Sequence, residues 1–303
     1  MSERLRSELC GVSFKNPVLA ASGTFGFGRE YAEFFDLSLL GGICTKGLTR
    51  ERREGNDAPR VAETAGGMLN SVGLQNPGVE TYLKEDAPFL KSFDTRVIVN
   101  IAGSCVEDYE YMAARVSGSG ADFVEMNISC PNVRAGGMAF GVLPESVEKI
   151  TARVKKVCDL PLMVKLSPNV ACIADNARAA EAGGADCISL INTLSGMAVD
   201  LKRRKPLLAN VVGGLSGPCV KPVALRMVWD CYKAVKIPIV GLGGISCAAD
   251  AVEFLLCGAR LVQVGTANLS DPLAMPKIIE GLEEFCAKEG VKNLSELVGG
   301  LKI

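Results

Sequence analysis

Short apolar runs rich in Val and Ile recur along the chain at 17–21, 42–45, 97–102, 123–128, 162–166, 187–192, 237–242 and 261–264. Each is continuous rather than alternating, the pattern of a strand buried on both faces of a parallel sheet. Helix-length stretches separate them, among them 144–158, 171–182, 222–235 and 248–257. Eight strand–helix alternations with no break in composition predict an α/β fold, a single (β/α)8 TIM barrel domain spanning 1–303. Ala-Gly-Gly-Ala-Asp at 182–186 and Cys-Gly-Ala-Arg at 257–260 precede strands, where Gly suits a helix C-cap. Three connections, 47–93, 130–141 and 193–221, are too long for plain turns. All follow strand C-termini, the face on which such barrels build their sites, and they hold Asn, Gly and Pro at definite spots, so they are read as long functional loops of the active-site face.

Polar residues gather where these strands end. Ser22 follows the first, Lys46-Gly47 the second, Asn100 closes the third, Asn127 the fourth, Lys165 the fifth, and Asn192-Thr193 the sixth. A lone strand-end Asn or Lys can simply cap a turn. A ring of amides with two lysines suits a planar, heteroatom-rich ligand held by many hydrogen bonds. No carboxylate stands at the matching strand ends, which argues against a magnesium or zinc barrel, so no metal site is expected. Strands seven and eight run into Gly241-Leu242-Gly243-Gly244 and Val264-Gly265-Thr266. Paired glycine loops at these two positions are where barrels bind phosphate through backbone N–H groups, although they also serve as bare strand–helix turns.

Composition narrows the chemistry. The chain has 303 residues, 48% hydrophobic, with 33 basic against 34 acidic residues and a net charge of −1. That balance gives no sign of a nucleic-acid-binding surface. The charged start Met1-Ser2-Glu3-Arg4 is no signal peptide, and no apolar run is long enough to span a bilayer, so a cytoplasmic protein is expected. The run Lys202-Arg203-Arg204-Lys205 is read as a solvated loop, with anion steering or partner docking as the alternative. There are twelve cysteines and no histidine. No C-x-x-C spacing occurs, so cluster and zinc patterns are missing, and cysteines in apolar stretches such as Cys44, Cys187 and Cys257 are read as inert core thiols. The lack of histidine removes the commonest general base and leaves Cys, Lys, Tyr and perturbed carboxylates. Cys130, in Asn127-Ile128-Ser129-Cys130-Pro131-Asn132 at a strand end, is the first candidate.

Five segments in order resemble dihydroorotate dehydrogenases of class 1, and within them the NAD-linked class 1B catalytic subunit. They are Ala21-Ser22-Gly23-Thr24-Phe25-Gly26-Phe27-Gly28, Leu69-Asn70-Ser71-Val72-Gly73-Leu74-Gln75-Asn76-Pro77-Gly78, the 127–132 segment, Val164-Lys165-Leu166-Ser167-Pro168-Asn169 and Ile191-Asn192-Thr193. The loop Gly136-Gly137-Met138-Ala139-Phe140-Gly141 is similar to the 1B form rather than the fumarate-reducing 1A form. The N-terminal extension and serine base of class 2 are lacking.

This resemblance implies one FMN-binding barrel that oxidises dihydroorotate to orotate in pyrimidine biosynthesis. FMN phosphate would lie on Gly243, Gly244, Gly265 and Thr266, with Gly217 nearby. Its ring and ribityl chain would meet Ser22, Lys46, Gly47, Asn100, Asn127, Lys165 and Ile191. Dihydroorotate would be held by Lys46, Asn70, Ser71, Val72, Gly73, Leu74, Asn127, Asn192 and Thr193, with Cys130 as the base. Electrons would leave through an FAD- and [2Fe–2S]-bearing partner subunit to NAD, in a heterotetramer of two plus two. A dihydropyrimidine dehydrogenase resembles this pattern closely, and a tRNA-dihydrouridine synthase shares the flavin barrel and cysteine acid. A non-catalytic flavin-binding barrel is the reading from a different class.

Overall fold

A computed structural model describes residues 3–129 and 140–303. Eight parallel strands close into a barrel: β1 Val18–Ala20, β2 Gly42–Cys44, β3 Arg96–Ile101, β4 Phe123–Asn127, β5 Leu162–Lys165, β6 Cys187–Leu190, β7 Ile239–Leu242 and β8 Ala259–Val264. All eight coincide with the apolar runs. Their continuous hydrophobicity reflects burial on both faces, outward against helices and inward against one another. Helices Val106–Ser117, Pro144–Lys155, Ile173–Ala182, Lys221–Ala234, Ala248–Leu256 and Ala274–Glu289 surround them.

One expected alternation is replaced. Between β1 and β2 the described chain forms two 3₁₀ turns, Tyr31–Glu33 and Leu37–Leu39, and no α-helix. Gly23, Gly26 and Gly28 all take positive φ in this stretch, which breaks helical propagation. Buried Phe25 stacks on Tyr31 instead, at 4.1 Å between centroids.

The barrel interior is layered by the two-residue period of its strands. Every strand contributes one side chain to the lowest layer: Leu19, Cys44, Ile98, Phe123, Met163, Cys187, Val240 and Leu261. A hairpin of Ser7–Leu9 and Val12–Phe14 plugs this end, with Leu9 and Phe14 packed into the same cluster. Two residues further along, the inward positions turn polar: Asn100, Glu125, Lys165, Ser189 and Gln263 are all buried. The site sits above that second layer.

The two long connections at 47–93 and 193–221 carry strands of their own. Val61–Thr64 and Gly67–Asn70 form a hairpin, and Gly213–Ser216 pairs with its second strand, Gly214 opposite Asn70. Leu194–Gly196 completes a four-stranded antiparallel sheet standing over the barrel mouth. These strands are more than half polar or glycine and mostly half-buried, so they lack the continuous apolar run that marked the barrel strands. The basic run 202–205 lies exposed at the turn of a further small hairpin, Val199–Asp200 with Lys205–Pro206.

Beyond β7, Asp250 ties the glycine loop to the helices. Its carboxylate accepts from Ser246 N at 2.8 Å and Cys247 N at 3.1 Å, and Lys221 Nζ lies 2.6 Å away. Burial alone would raise its pKa. The Lys221 ammonium and the Ser246 and Cys247 donors overcome that and hold it at about 2, against an ordinary 3.8.

Two stability outcomes follow from this packing. Phe14 and Phe123 meet at 5.9 Å, both fully buried. Phe14→Ala should lower unfolding free energy by about 3–5 kcal/mol, read as a urea midpoint shift at unchanged slope. Asp250, with its lowered folded pKa, contributes stability that is present above pH about 4 and lost as pH falls toward 2, worth about 2 kcal/mol. Asp250→Asn should therefore flatten the acid limb of a urea-midpoint-versus-pH curve; an unchanged limb would remove Asp250 from it.

Candidate active site

A cavity of about 270 Å³ opens at the C-terminal ends of the strands, under the four-stranded sheet. Of the candidate site residues, all those within the described chain line it. Ser22 comes from the end of β1, Lys46 and Gly47 from β2, Asn100 from β3, Asn127 from β4, Lys165 from β5, and Ile191, Asn192 and Thr193 from β6. Gly243 and Gly244 follow β7, Gly265 and Thr266 follow β8, and Gly217 follows the sheet strand Gly213–Ser216. Asn70, Ser71, Val72, Gly73 and Leu74 form the facing wall. Cys130 lies outside the described residues.

The wall is held by asparagines whose side chains replace missing backbone partners. Asn76 Oδ1 accepts from Thr49 N and Gly78 N, and its amide donates to Leu74 O at 2.7 Å. Asn56 donates to Ser71 O at 2.8 Å, and Asn70 to Gly214 O at 3.4 Å. Across the mouth, Asn169 Nδ2 donates to Thr193 O at 3.0 Å and its oxygen accepts from Ser195 N. Short polar side chains of this kind fix loops that have no ladder of their own.

Three strand ends are wired together. Ser129 Oγ donates to Asn127 Oδ1 at 3.0 Å and to Lys165 O at 3.3 Å. Asn192 Nδ2 donates to Ser129 Oγ at 2.8 Å, and Tyr109 Oη holds Asn127 O at 2.8 Å. Ser129, the residue before Cys130, is thus buried and anchored at the rim.

Glycine is required where the loops touch. A Cβ at Gly217, φ +100°, would lie 2.7 Å from Gly67 Cα, and one at Gly244, φ +86°, would lie 2.9 Å from Gly217 O and 2.8 Å from Lys221 N. The result is a backbone-lined cradle at the start of the helix Lys221–Ala234, with Thr266 Oγ1 donating to Ser216 Oγ at 2.8 Å across it. Such a cradle suits a phosphate.

The floor holds a carboxylate that the strand-end reading passed over, because Glu125 sits in mid-strand. Its side chain is fully buried. Oε2 accepts from the Cys44 thiol and Asn100 Nδ2, each at 2.8 Å, and Lys165 Nζ is 3.6 Å away. Oε1 accepts from Ser189 Oγ at 2.8 Å and Gln263 Nε2 at 3.0 Å. Burial pushes its pKa up, but Lys165 and the Cys44, Asn100 and Ser189 donors together hold it below the ordinary carboxylate value. The Cys44 thiol is pushed the other way, first by burial and then by this carboxylate, so it stays protonated and donates. Gln263 is also a missed cavity residue; its place two residues before Gly265 on an inward-facing strand was the available signal.

Asn100 and Gln263 each spend their amide N–H on Glu125. Their oxygens, and Ser71 Oγ, are buried without a hydrogen-bond partner among the described residues. All three residues line the cavity. Buried acceptors are costly unless a ligand donor meets them. The arrangement therefore suits a planar ligand with ring N–H groups and a phosphate tail.

Comparison with known proteins shows the family. The dihydroorotate dehydrogenase family profile matches residues 4–286. A "Dihydroorotate dehydrogenase B (NAD(+)), catalytic subunit" of Alkaliphilus oremlandii is 55% identical over 293 residues, 97% of each chain. The protein of the same description from Thermoanaerobacter pseudethanolicus is 51% identical over 99% of each chain, and that of Petrotoga mobilis 49% over 96% of this chain and 97% of its own. With the closed parallel barrel and a match running nearly end to end, the chain belongs to the dihydroorotate dehydrogenase family.

Proposed function

We propose that this chain is the catalytic subunit of an NAD-linked dihydroorotate dehydrogenase and oxidises dihydroorotate to orotate in pyrimidine biosynthesis. The observation that carries this reading is the convergence of the family-type residues on one cavity with a polar floor and a glycine cradle. The relatives at 49–55% identity bear that description.

The residues lining the cavity suit FMN. The cradle of Gly217, Gly243, Gly244, Gly265 and Thr266 would take the phosphate, and the unpartnered oxygens of Asn100 and Gln263 would meet ring N–H donors. Ser22, Lys46, Gly47, Asn127, Lys165 and Ile191 complete the cofactor side. When bound, FMN supplies a two-electron acceptor for the hydride leaving substrate C6.

The rest is done by the chain. Lys46, Asn70, Ser71, Val72, Gly73, Leu74, Asn127, Asn192 and Thr193 hold and orient the dihydroorotate ring, which turns proton removal into a positioned step. Cys130 takes the proton from C5. A thiol with an ordinary pKa of about 8.5 is a workable base near neutrality once positive charge lowers it, and the chain has no histidine to compete. Ser129, the residue before it in sequence, is anchored at the rim by Lys165 O and the Asn192 amide. Lys46 and Lys165 stabilise the negative charge that develops as the proton leaves.

The described chain is one barrel with one cavity sheet, and it offers no second nucleotide-binding unit. We therefore assign FAD and [2Fe–2S] to an electron-transfer partner that passes electrons to NAD in a two-plus-two heterotetramer. Among the described residues no helix is long and apolar enough to cross a membrane. A cytoplasmic location is part of this proposal.

The purified chain should carry a flavin spectrum that bleaches anaerobically with dihydroorotate and stays unchanged with dihydrouracil. Bleaching by dihydrouracil would move the chain to the pyrimidine-degrading relatives, and a colourless protein that takes up no FMN would sink the cofactor. Cys130→Ala should slow flavin reduction on the order of 10²–10⁴-fold; reduction at the wild-type rate would take the proton step away from this thiol. Without its partner the chain should reduce NAD negligibly.

A further inference from the structure

The donors around Glu125 fall into two groups. Cys44 and Ser189 do not line the cavity, and their polar atoms are committed to the carboxylate from beside and below. Asn100, Lys165 and Gln263 do line it, and each has further capacity: an amide oxygen on Asn100 and on Gln263, remaining ammonium protons on Lys165. The carboxylate thus grips the back of three side chains whose fronts form the cavity floor. These six residues come from β2, β3, β4, β5, β6 and β8.

Barrel closure does not demand this arrangement. One layer lower, the same strands close over apolar side chains and two thiols, with no charge among them. A buried ion pair is commonly replaceable by apolar residues with little loss of stability. A charge kept in the polar layer, with five donors gathered to satisfy it, is explained by what the layer faces.

We propose that Glu125 is a positioning residue of the cavity floor, which locks the orientation of Asn100, Gln263 and Lys165 and, as the counter-ion of Lys165, sets the electrostatic potential beneath the bound flavin. This builds on the reading that the cavity holds FMN. With Glu125 ionised, the floor presents a nearly neutral pair. With the carboxylate replaced by an amide, the Lys165 ammonium stands uncompensated, and an electron-rich reduced flavin above it is favoured.

The measurement is the flavin midpoint potential of the purified holoenzyme, wild type against Glu125→Gln and Glu125→Asp, with the melting temperature of each apoprotein alongside. Glu125→Gln should move the oxidised–reduced equilibrium about tenfold toward reduced flavin, a positive shift of about 30 mV for a two-electron couple. Glu125→Asp keeps the charge and should stay closer to wild type. A Glu125→Gln protein that binds FMN and melts lower, with an unmoved potential, would reduce Glu125 to a structural part and overturn the inference. If Glu125→Gln does not fold, the comparison is made in a Lys165→Met background. There the carboxyl, deprived of its cation in a buried site, takes up a proton, so adding Glu125→Gln should leave the potential of Lys165→Met unchanged. A positive displacement between those two variants would overturn the inference. Wild-type protein that takes up no FMN fails the cofactor reading itself, before any variant is compared.

Discussion

An ionised carboxylate taken from water into a protein interior is penalised by several kcal/mol unless hydrogen bonds and opposite charge replace its hydration. Glu125 lies at the centre of the barrel with that demand met on every side, by Cys44, Asn100, Ser189, Gln263 and Lys165. Meeting it dictates much else. The inward positions of four other strands at that height carry donors, Cys44 reaches up from the layer below, and the strands must hold a register that brings them together. The layer below is free to be apolar, and it is, sealed by Leu9 and Phe14 from the N-terminal hairpin. Above, the same donors present their unused atoms to the cavity. One buried charge therefore separates the barrel into a packed base and a chemical floor.

The cover over that floor obeys different physics. Its walls are loops, and loops lack the ladders that satisfy backbone groups in strands. Here the deficit is made up by Asn56, Asn76 and Asn169, each bonding main-chain groups that no ladder serves. The asparagines that face the cavity, Asn70, Asn127 and Asn192, are embedded in the same wiring. Structural amides bond residues beside the ligand-facing ones, Asn56 to Ser71 and Asn169 to Thr193, so a loop change that breaks the first disturbs the second. The glycine cradle adds a steric requirement, since Gly217 and Gly244 approach other backbone too closely for any side chain.

The barrel strands were legible in the sequence because burial on both faces leaves an uninterrupted apolar run, a signal that survives without an alignment. The strand-end residues were legible for a related reason: Ser22, Lys46, Asn127 and Asn192 interrupt that hydrophobicity where the strand leaves the core. Glu125, Ser189 and Gln263 were not, because each sits in mid-strand between apolar neighbours. Only counting inward positions by twos reveals them as a layer. The sheet over the mouth was hidden because its strands are three or four residues long, and their partners lie far apart along the chain. The first crossover looked like any other until its glycines were seen at positive φ.

That sheet has a consequence for how the molecule is made. Asn70 and Gly214 lie 144 residues apart, yet they sit side by side in it. Pairing so distant along the chain carries a large loop-closure entropy, which is recovered only after intervening structure has drawn the ends together. During synthesis from the N-terminus, the hairpin 61–70 emerges long before its partner strand and must wait, half-paired and solvated, for β3 through β6 to assemble. The roof therefore cannot form until β3 through β6 have been made, and barrel closure waits longer still, for β7 and β8. Ligand capture belongs to the end of folding, when β8 brings Gln263 into the floor and closes the barrel beneath the roof.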